Sequence, residues 1–241
     1  MFSQFDSRSQ EEEIMDDLEM KGDLLEKTLD QLTWINIWLG GNRITWMGLK
    51  KIRSYFEKKE IKLLDLGTGG GDALRYLARK MKKLGAKIQL IGWDANESTL
   101  AYATKKSKTF PNIAYQKVNI LDPKTSYKDI DVVTCALFLH HFSEEQLKDL
   151  FRRFELDAVK YIIINDLQRH WLPYILFMFV SKVLRFSRMA HHDGLLSIKR
   201  GFKKAELLKL IHQSAYKTTY IGWKWAFRYL IVVELPLKAD T

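Results

Sequence analysis

KLLDLGTGGGDALRYLARK, residues 62–80, passes from an apolar strand through a glycine-rich turn into an amphipathic helix. Strand, glycines and helix in that order form a ligand site in many nucleotide-binding α/β folds. A dinucleotide site of the G-x-G-x-x-G kind would use Gly67 and Gly69 and then require glycine at position 72, which is Asp72. A carboxylate there repels a pyrophosphate at the helix start, where phosphates normally bind. A Gly-Lys-Ser/Thr ending, needed for a nucleotide triphosphate loop, is missing too. The loop is therefore read as a cradle for a phosphate-free ligand. Its glycines let backbone come close, and Asp65 and Asp72 attract positive charge.

Outward from this loop, short apolar runs alternate with amphipathic helices. Strands are expected at 61–66, 88–94, 113–120, 130–139 and 159–166, and helices at 72–84, 97–108 and 143–154. Ser143 with Gln146 three residues on reads as a capping box. Runs such as VVTCALFL are apolar on both faces, which belongs to the middle of a parallel sheet covered by helices. Residues 10–60 read as helical, broken at Gly40-Gly41, with a helix from about Asn42 to Lys58. After residue 170 the pattern predicts an apolar helix over 171–188, a polar loop HHDGLLSIKRGF (191–202), a helix over 203–212, and an antiparallel strand pair, 215–223 and 227–235, at the sheet edge.

The 241 residues suit one large domain. A single cysteine, Cys135, excludes an internal disulfide and a cysteine-based zinc site, and agrees with a reducing, cytoplasmic setting. The acidic N-terminus is no secretory signal. The longest apolar run, Trp171 to Val180, is ten residues, and a bilayer takes about 20. The net charge of +10 would suit nucleic acid, an anionic membrane surface or an acidic substrate. The lysines are scattered over helices, without an arginine-rich arm or a nucleic-acid module, so solvated helix faces account for it.

The string Asp65-x-Gly67-x-Gly69-x-Gly71 resembles motif I of the class I S-adenosylmethionine-dependent methyltransferases. Three later landmarks agree. Asp94 ends the second strand, 23 residues after Gly71, near the roughly 20-residue spacing at which an acid meets ribose hydroxyls. Asp122 follows the third strand, and CALFLHHF (135–142) follows the fourth. The resemblance implies an α/β fold: a seven-stranded, mostly parallel, Rossmann-like sheet with helices on both faces, N-terminal helices (1–59), and a methyltransferase domain (60–241) carrying a helical lid insertion at about 167–202. It implies S-adenosylmethionine as cofactor and S-adenosylhomocysteine as product, held by Asp65, Gly67, Gly69, Gly71, Asp94, Ala95, Leu121, Asp122 and Cys135, with Arg43 on the methionine carboxylate.

The segments 35–50 and 165–207 further resemble the ubiquinone/menaquinone-type and aromatic polyketide-associated methyltransferases. This implies a small lipophilic, often phenolic acceptor, with O-methylation favoured over C-methylation. Histidine is the usual base near neutral pH. The candidates are His140, His141, His191, His192 and His170. Neighbours on an extended segment face opposite ways, so at most one of His140 and His141 is expected to face the substrate, and His140, beyond the fourth strand, is preferred. His192 beside Asp193, in a polar loop with Ser197 and Arg200, and Asp166 after the fifth strand complete the catalytic candidates. No metal is expected: at the His191-His192 loop, adjacent histidines converge poorly on one ion and a convincing third ligand is missing.

Two other functional classes stay open. A nucleic-acid methyltransferase fits the charge but lacks an Asn-Pro-Pro-Tyr type motif. A non-catalytic cofactor-binding partner protein keeps every cofactor landmark. The acidic N-terminal arm (Glu11–Glu13, Asp16-Asp17) is a candidate dimerisation element. The apolar run with Lys182, Arg185 and Arg188 is a candidate for shallow membrane contact.

Overall fold

The computed structural model describes residues 3–57 and 59–236. Among these, strands β1 (Ile61–Leu66), β2 (Ile88–Asp94), β3 (Ile113–Lys117), β4 (Val132–Ala136), β5 (Tyr161–Leu167), β6 (Lys217–Lys224) and β7 (Arg228–Glu234) build one sheet, ordered β3-β2-β1-β4-β5-β7-β6. The first five pair in parallel, and β7 runs antiparallel to β5 and β6. The late pair is antiparallel as expected, but only β6 lies at the edge. β7 is inserted beside β5, because Tyr229–Val233 are buried on both faces.

Alternate residues of the parallel strands serve two cores. Leu64, Val133 and Ile162 pack with Phe151 and Phe154 of α6 (Glu144–Leu156). Leu63, Val132 and Ile163 face Leu49 of α2 (Gly41–Lys51) and Leu74 and Leu77 of α4 (Asp72–Leu84). Each such side chain, fully removed from water, contributes about 1.5–3 kcal/mol before entropy is counted. Helix α1 (Asp23–Trp38) ends ahead of Gly40, whose φ of 72° breaks the chain where the glycine pair was read. The short α3 (Arg53–Phe56) leads into β1. Helix α5 (Glu97–Lys106) starts on Asn96, whose side chain accepts a hydrogen bond from the Thr99 amide.

Three sequence expectations need correction. Residues 9–22 are not helical apart from one 3-10 turn, Ile14–Asp16; they form an extended strap. The expected loop 191–202 is mostly helix. The lid insertion is a hairpin of α7 (Trp171–Val183) and α8 (Arg188–Arg200), with α9 (Lys204–His212) following. Ser187 caps α8 by accepting from the Ala190 amide, and Gly194 gives the Phe177 ring room to pack, so this glycine serves a helix contact and not a turn. Strands β3 and β4 stop earlier than read, and the residues beyond them turn to line a cleft. No helix among the described residues is long and apolar enough to cross a membrane.

Candidate active site

The strand order reverses between β1 and β4, and the crevice at the carboxyl ends there is where α/β sheets collect ligands. A cleft of about 620 Å³ occupies it, within the roughly 300–1,000 Å³ usual for small-molecule sites. The glycine loop forms its floor. Gly67 has a φ of +60°, and a Cβ there would strike the Phe138 ring. Gly69, at +52°, has open space around its α-carbon, so backbone lies bare to the cleft. The Gly69 amide donates to Asp94 Oδ2 at 3.0 Å, and Asp94 Oδ1 accepts from the Asn96 amide at 3.0 Å. Asp94 thus pins the glycine loop while lining the cleft, as does Ala95. Burial, opposed by these amides, raises the Asp94 pKa.

Asp65 sits at the cleft, 2% exposed, and accepts from the Thr134 hydroxyl at 2.6 Å. Burial, opposed by that bond and aided by Asp72 and Asp94, pushes its pKa up to about 7. No cation among the described residues neutralises it. Gly71 does not line the cleft; at φ +72° it turns the chain into α4, against the Tyr115 hydroxyl.

Other cofactor candidates are displaced. Arg43 lies on the exposed side of α2, away from the cleft. The guanidinium at this end belongs to Arg228, which is 2% exposed and donates to Asn36 Oδ1 at 3.3 Å. Asn42 donates to the nearby Asp72 at 2.7 Å. Leu121 lines the cleft, but Asp122 turns outward, where its carboxylate accepts from the Lys124 amide. The polar side chain lining the cleft beyond β3 is Asn119, three residues earlier than the acid the motif suggested. Cys135 points into the core, where burial raises its thiol pKa, and Ala136 and Leu137 line the cleft in its place.

At the other end, His140 and His141 share a 3-10 turn, Leu139–His141, and not an extended segment. Their rings lie 4.4 Å apart at 31°, so both face the same side, contrary to the alternation expected. His140 Nδ1 is 2.7 Å from Asp166 Oδ1, which also accepts the Leu167 amide. His140 lines the cleft, and Asp166, fully buried, stands behind it. Burial alone would lower the His140 pKa; Asp166 and Glu13 outweigh it and raise it to about 9.

The strap closes this end. Arg8 donates to the carbonyls of His140, Phe142 and Arg200. Asp193 on α8 accepts the amides of Ile14 and Met15 at 2.9 and 3.0 Å. Arg200 donates to Asp16 at 2.7 Å and to the His140 and His141 carbonyls, and Ser197 donates to Glu13 at 2.9 Å. Asp193, Ser197 and Arg200 share a helix face, at the spacing of one stripe. His192 falls outside it, about half exposed, and pairs with Asp193 away from the cleft. His191 meets Ser181 instead, and His170 caps α7. Glu13 and Asp16 were missed as site residues because the acidic arm reads as a dimerisation element. The available signal was its complementarity to the HH pair and to Arg200.

S-adenosylmethionine, cationic and free of phosphate, fits the cradle: bare backbone at Gly69, an uncompensated carboxylate at Asp65, and an acid at the end of β2. Residues 63–155 match the family model of a methyltransferase domain. No curated protein matches the sequence. Among solved structures, the chain is similar to an S-adenosylmethionine-dependent methyltransferase from Aquifex aeolicus, at 18% identity and TM-score 0.55, covering 78% of this chain and 89% of that one. It is similar to magnesium protoporphyrin IX methyltransferase from Synechocystis with bound S-adenosylmethionine, at 13% identity and TM-score 0.57, covering 92% and 89%. An O-methyltransferase family 2 protein from Planctomyces limnophilus in complex with apigenin is similar at 16% identity and TM-score 0.50, covering 72% and 50%.

Proposed function

We propose that this chain, which carries the class I S-adenosylmethionine-dependent methyltransferase fold, methylates a small lipophilic aromatic acceptor, phenolic or quinone-like, at oxygen in preference to ring carbon. The observation that carries this reading is one cleft with two chemistries: a phosphate-free cradle with a buried acid at one end, and a carboxylate-backed histidine at the other. Met15, Leu29, Leu32, Phe138, Phe142 and Leu167 line the same cleft and suit a flat apolar molecule. The names of two similar structures carry flat conjugated molecules, magnesium protoporphyrin IX and apigenin, and those belong to those proteins.

When bound, the cofactor supplies a methyl group on a positively charged sulfur. The chain positions and shields. Gly67 and Gly69 would bring backbone against the cofactor, Asp65 would meet its positive charge, and Asp94 would hold its ribose. His140 donates its Nδ1 proton to Asp166 and turns Nε2 toward the cleft; with its pKa raised to about 9, Nε2 becomes free to accept the acceptor hydroxyl's proton as pH rises toward that value. The chain's part in the transfer would be to hold the acceptor oxygen in line with that methyl group. The strap and α8 keep water out, so orientation does most of the work.

A screen of phenols and quinols with methyl-labelled cofactor tests this. The expected result is label transfer to at least one phenolic oxygen, reduced about 100-fold or more in Asp166→Asn, the usual weight of an acid–base group. Label passing to RNA and to no small aromatic would overturn the acceptor class.

A further inference from the structure

We infer that Glu13, His140 and His141 form a binding site for a first-row divalent cation at the acceptor end of the cleft. One ligand atom of each lies within 4.8 Å of the others. His140 Nε2 stands 3.6 Å from Glu13 Oε1, and His141 Nδ1 stands 3.9 Å from the same oxygen. His140 Nε2 has no hydrogen-bond partner and His140 is 2% exposed, while His141 Nδ1 stands 2.7 Å from Asp16 Oδ1. The two gaps to Glu13 are too long for hydrogen bonds. They are near the separation of two ligands around one ion, roughly 3.3–3.6 Å for metal–ligand bonds of about 2.0–2.2 Å.

The surroundings match those of a metal ligand set. Histidines that hold metals usually donate their other nitrogen to a carboxylate, which fixes the tautomer and ring. His140 does so to Asp166 at 2.7 Å. Glu13 is itself oriented by the Ser197 hydroxyl at 2.9 Å. Asp16 Oδ1, 2.7 Å from His141 Nδ1, is a further oxygen donor at the same spot.

Carboxylates crowd the spot: Glu13, Asp16, Asp166 and Asp193 converge here, with the guanidiniums of Arg8 and Arg200 among them and that of Arg228 near Asp166. Two imidazoles and a carboxylate suit Zn²⁺ or Mn²⁺ better than Mg²⁺, which prefers oxygen.

The inference rests on the proposed reading only for the acceptor's position, and it changes the part of His140. With the ion on Nε2, an acceptor hydroxyl coordinated to the ion loses its proton to solvent, the O–H electron pair staying on oxygen. His140 is then a ligand and no longer the proton acceptor.

The test uses the full chain without a histidine tag, stripped with EDTA. Zn²⁺ is titrated calorimetrically into the wild type, Glu13→Gln and His141→Ala, and S-adenosylhomocysteine is titrated into each in parallel. The expected result is one Zn²⁺ per chain at micromolar affinity or better, weakened at least tenfold in both variants, with S-adenosylhomocysteine affinity changed less than threefold. Absence of Zn²⁺ binding in the wild type, or equal binding in the variants, overturns the site. Loss of S-adenosylhomocysteine binding in the wild type would instead count against the methyltransferase reading. Should a variant fail to fold, Co²⁺ added to the wild type decides. Visible absorption of a low-symmetry histidine-bound ion supports the site, and the spectrum of hydrated Co²⁺ overturns it.

Discussion

Asp65 is the residue whose chemistry is most exposed to test. Its folded pKa of about 7 lies above the ordinary 3.8. Below about pH 4 the carboxyl is protonated in both the folded and the unfolded chain and costs nothing. Between about pH 4 and 7 only the unfolded chain ionises it, so the empty fold loses stability as pH rises, by at most about 4 kcal/mol. Above pH 7 the loss is constant. A cationic cofactor prefers the ionised form, so its affinity should climb between pH 6 and 8. Asp65→Asn should bind more weakly and with a flat pH profile, measurable by calorimetry at pH 6, 7 and 8. An unchanged climb in the variant would remove Asp65 from the account. Gly67→Ala should also fail to bind: left-handed backbone costs a non-glycine residue roughly 1–2 kcal/mol, and the new methyl collides with Phe138.

At the scale of elements, the strap is held by few but strong anchors. Asp193→Ala removes two amide bonds to a carboxylate, worth about 1.5–3 kcal/mol each. Limited proteolysis should then cut within residues 9–22 faster than in wild type, with cleavage of the sheet domain unchanged; equal rates would mean that the strap is secured elsewhere. Elements with strong local patterns were legible in the sequence. The capping box of α6 forms as read, with Ser143 and Gln146 each bonding the other's amide, and Ser143→Ala should cost about 1 kcal/mol in chemical denaturation. α8 was not legible, since histidines, an aspartate and a glycine in sequence look like a loop. What makes it a helix is tertiary: the Ser187 cap and the burial of Met189, Ala190 and Leu196. The strap was illegible for a related reason. Its partners lie far away in sequence: Asn96 holds the Asp17 and Met20 carbonyls, and Arg8 at the strap's start bonds the carbonyls of His140 and Phe142. Of the cofactor positions read from strand ends, Asp65 and Asp94 line the cleft. Asp122 sits on the exposed turn beyond β3, and Cys135, inside β4, points to the core by strand alternation.

Across the whole molecule, sheet, strap and lid all line the cleft, so a ligand there should tie all three together. Saturation at a hundredfold excess over Kd stabilises by about 2.7 kcal/mol, which for a chain of this size raises Tm by about 5–10 °C. S-adenosylhomocysteine should do this and ATP should not, since the cradle repels phosphate. The most direct measurement is calorimetric titration of S-adenosylmethionine and S-adenosylhomocysteine into the wild type and into Asp94→Ala. The account predicts micromolar, one-to-one binding of both to the wild type and at least a tenfold loss in the variant, where the glycine loop loses its pin and the ribose its acid. A folded wild type that binds neither molecule would contradict it.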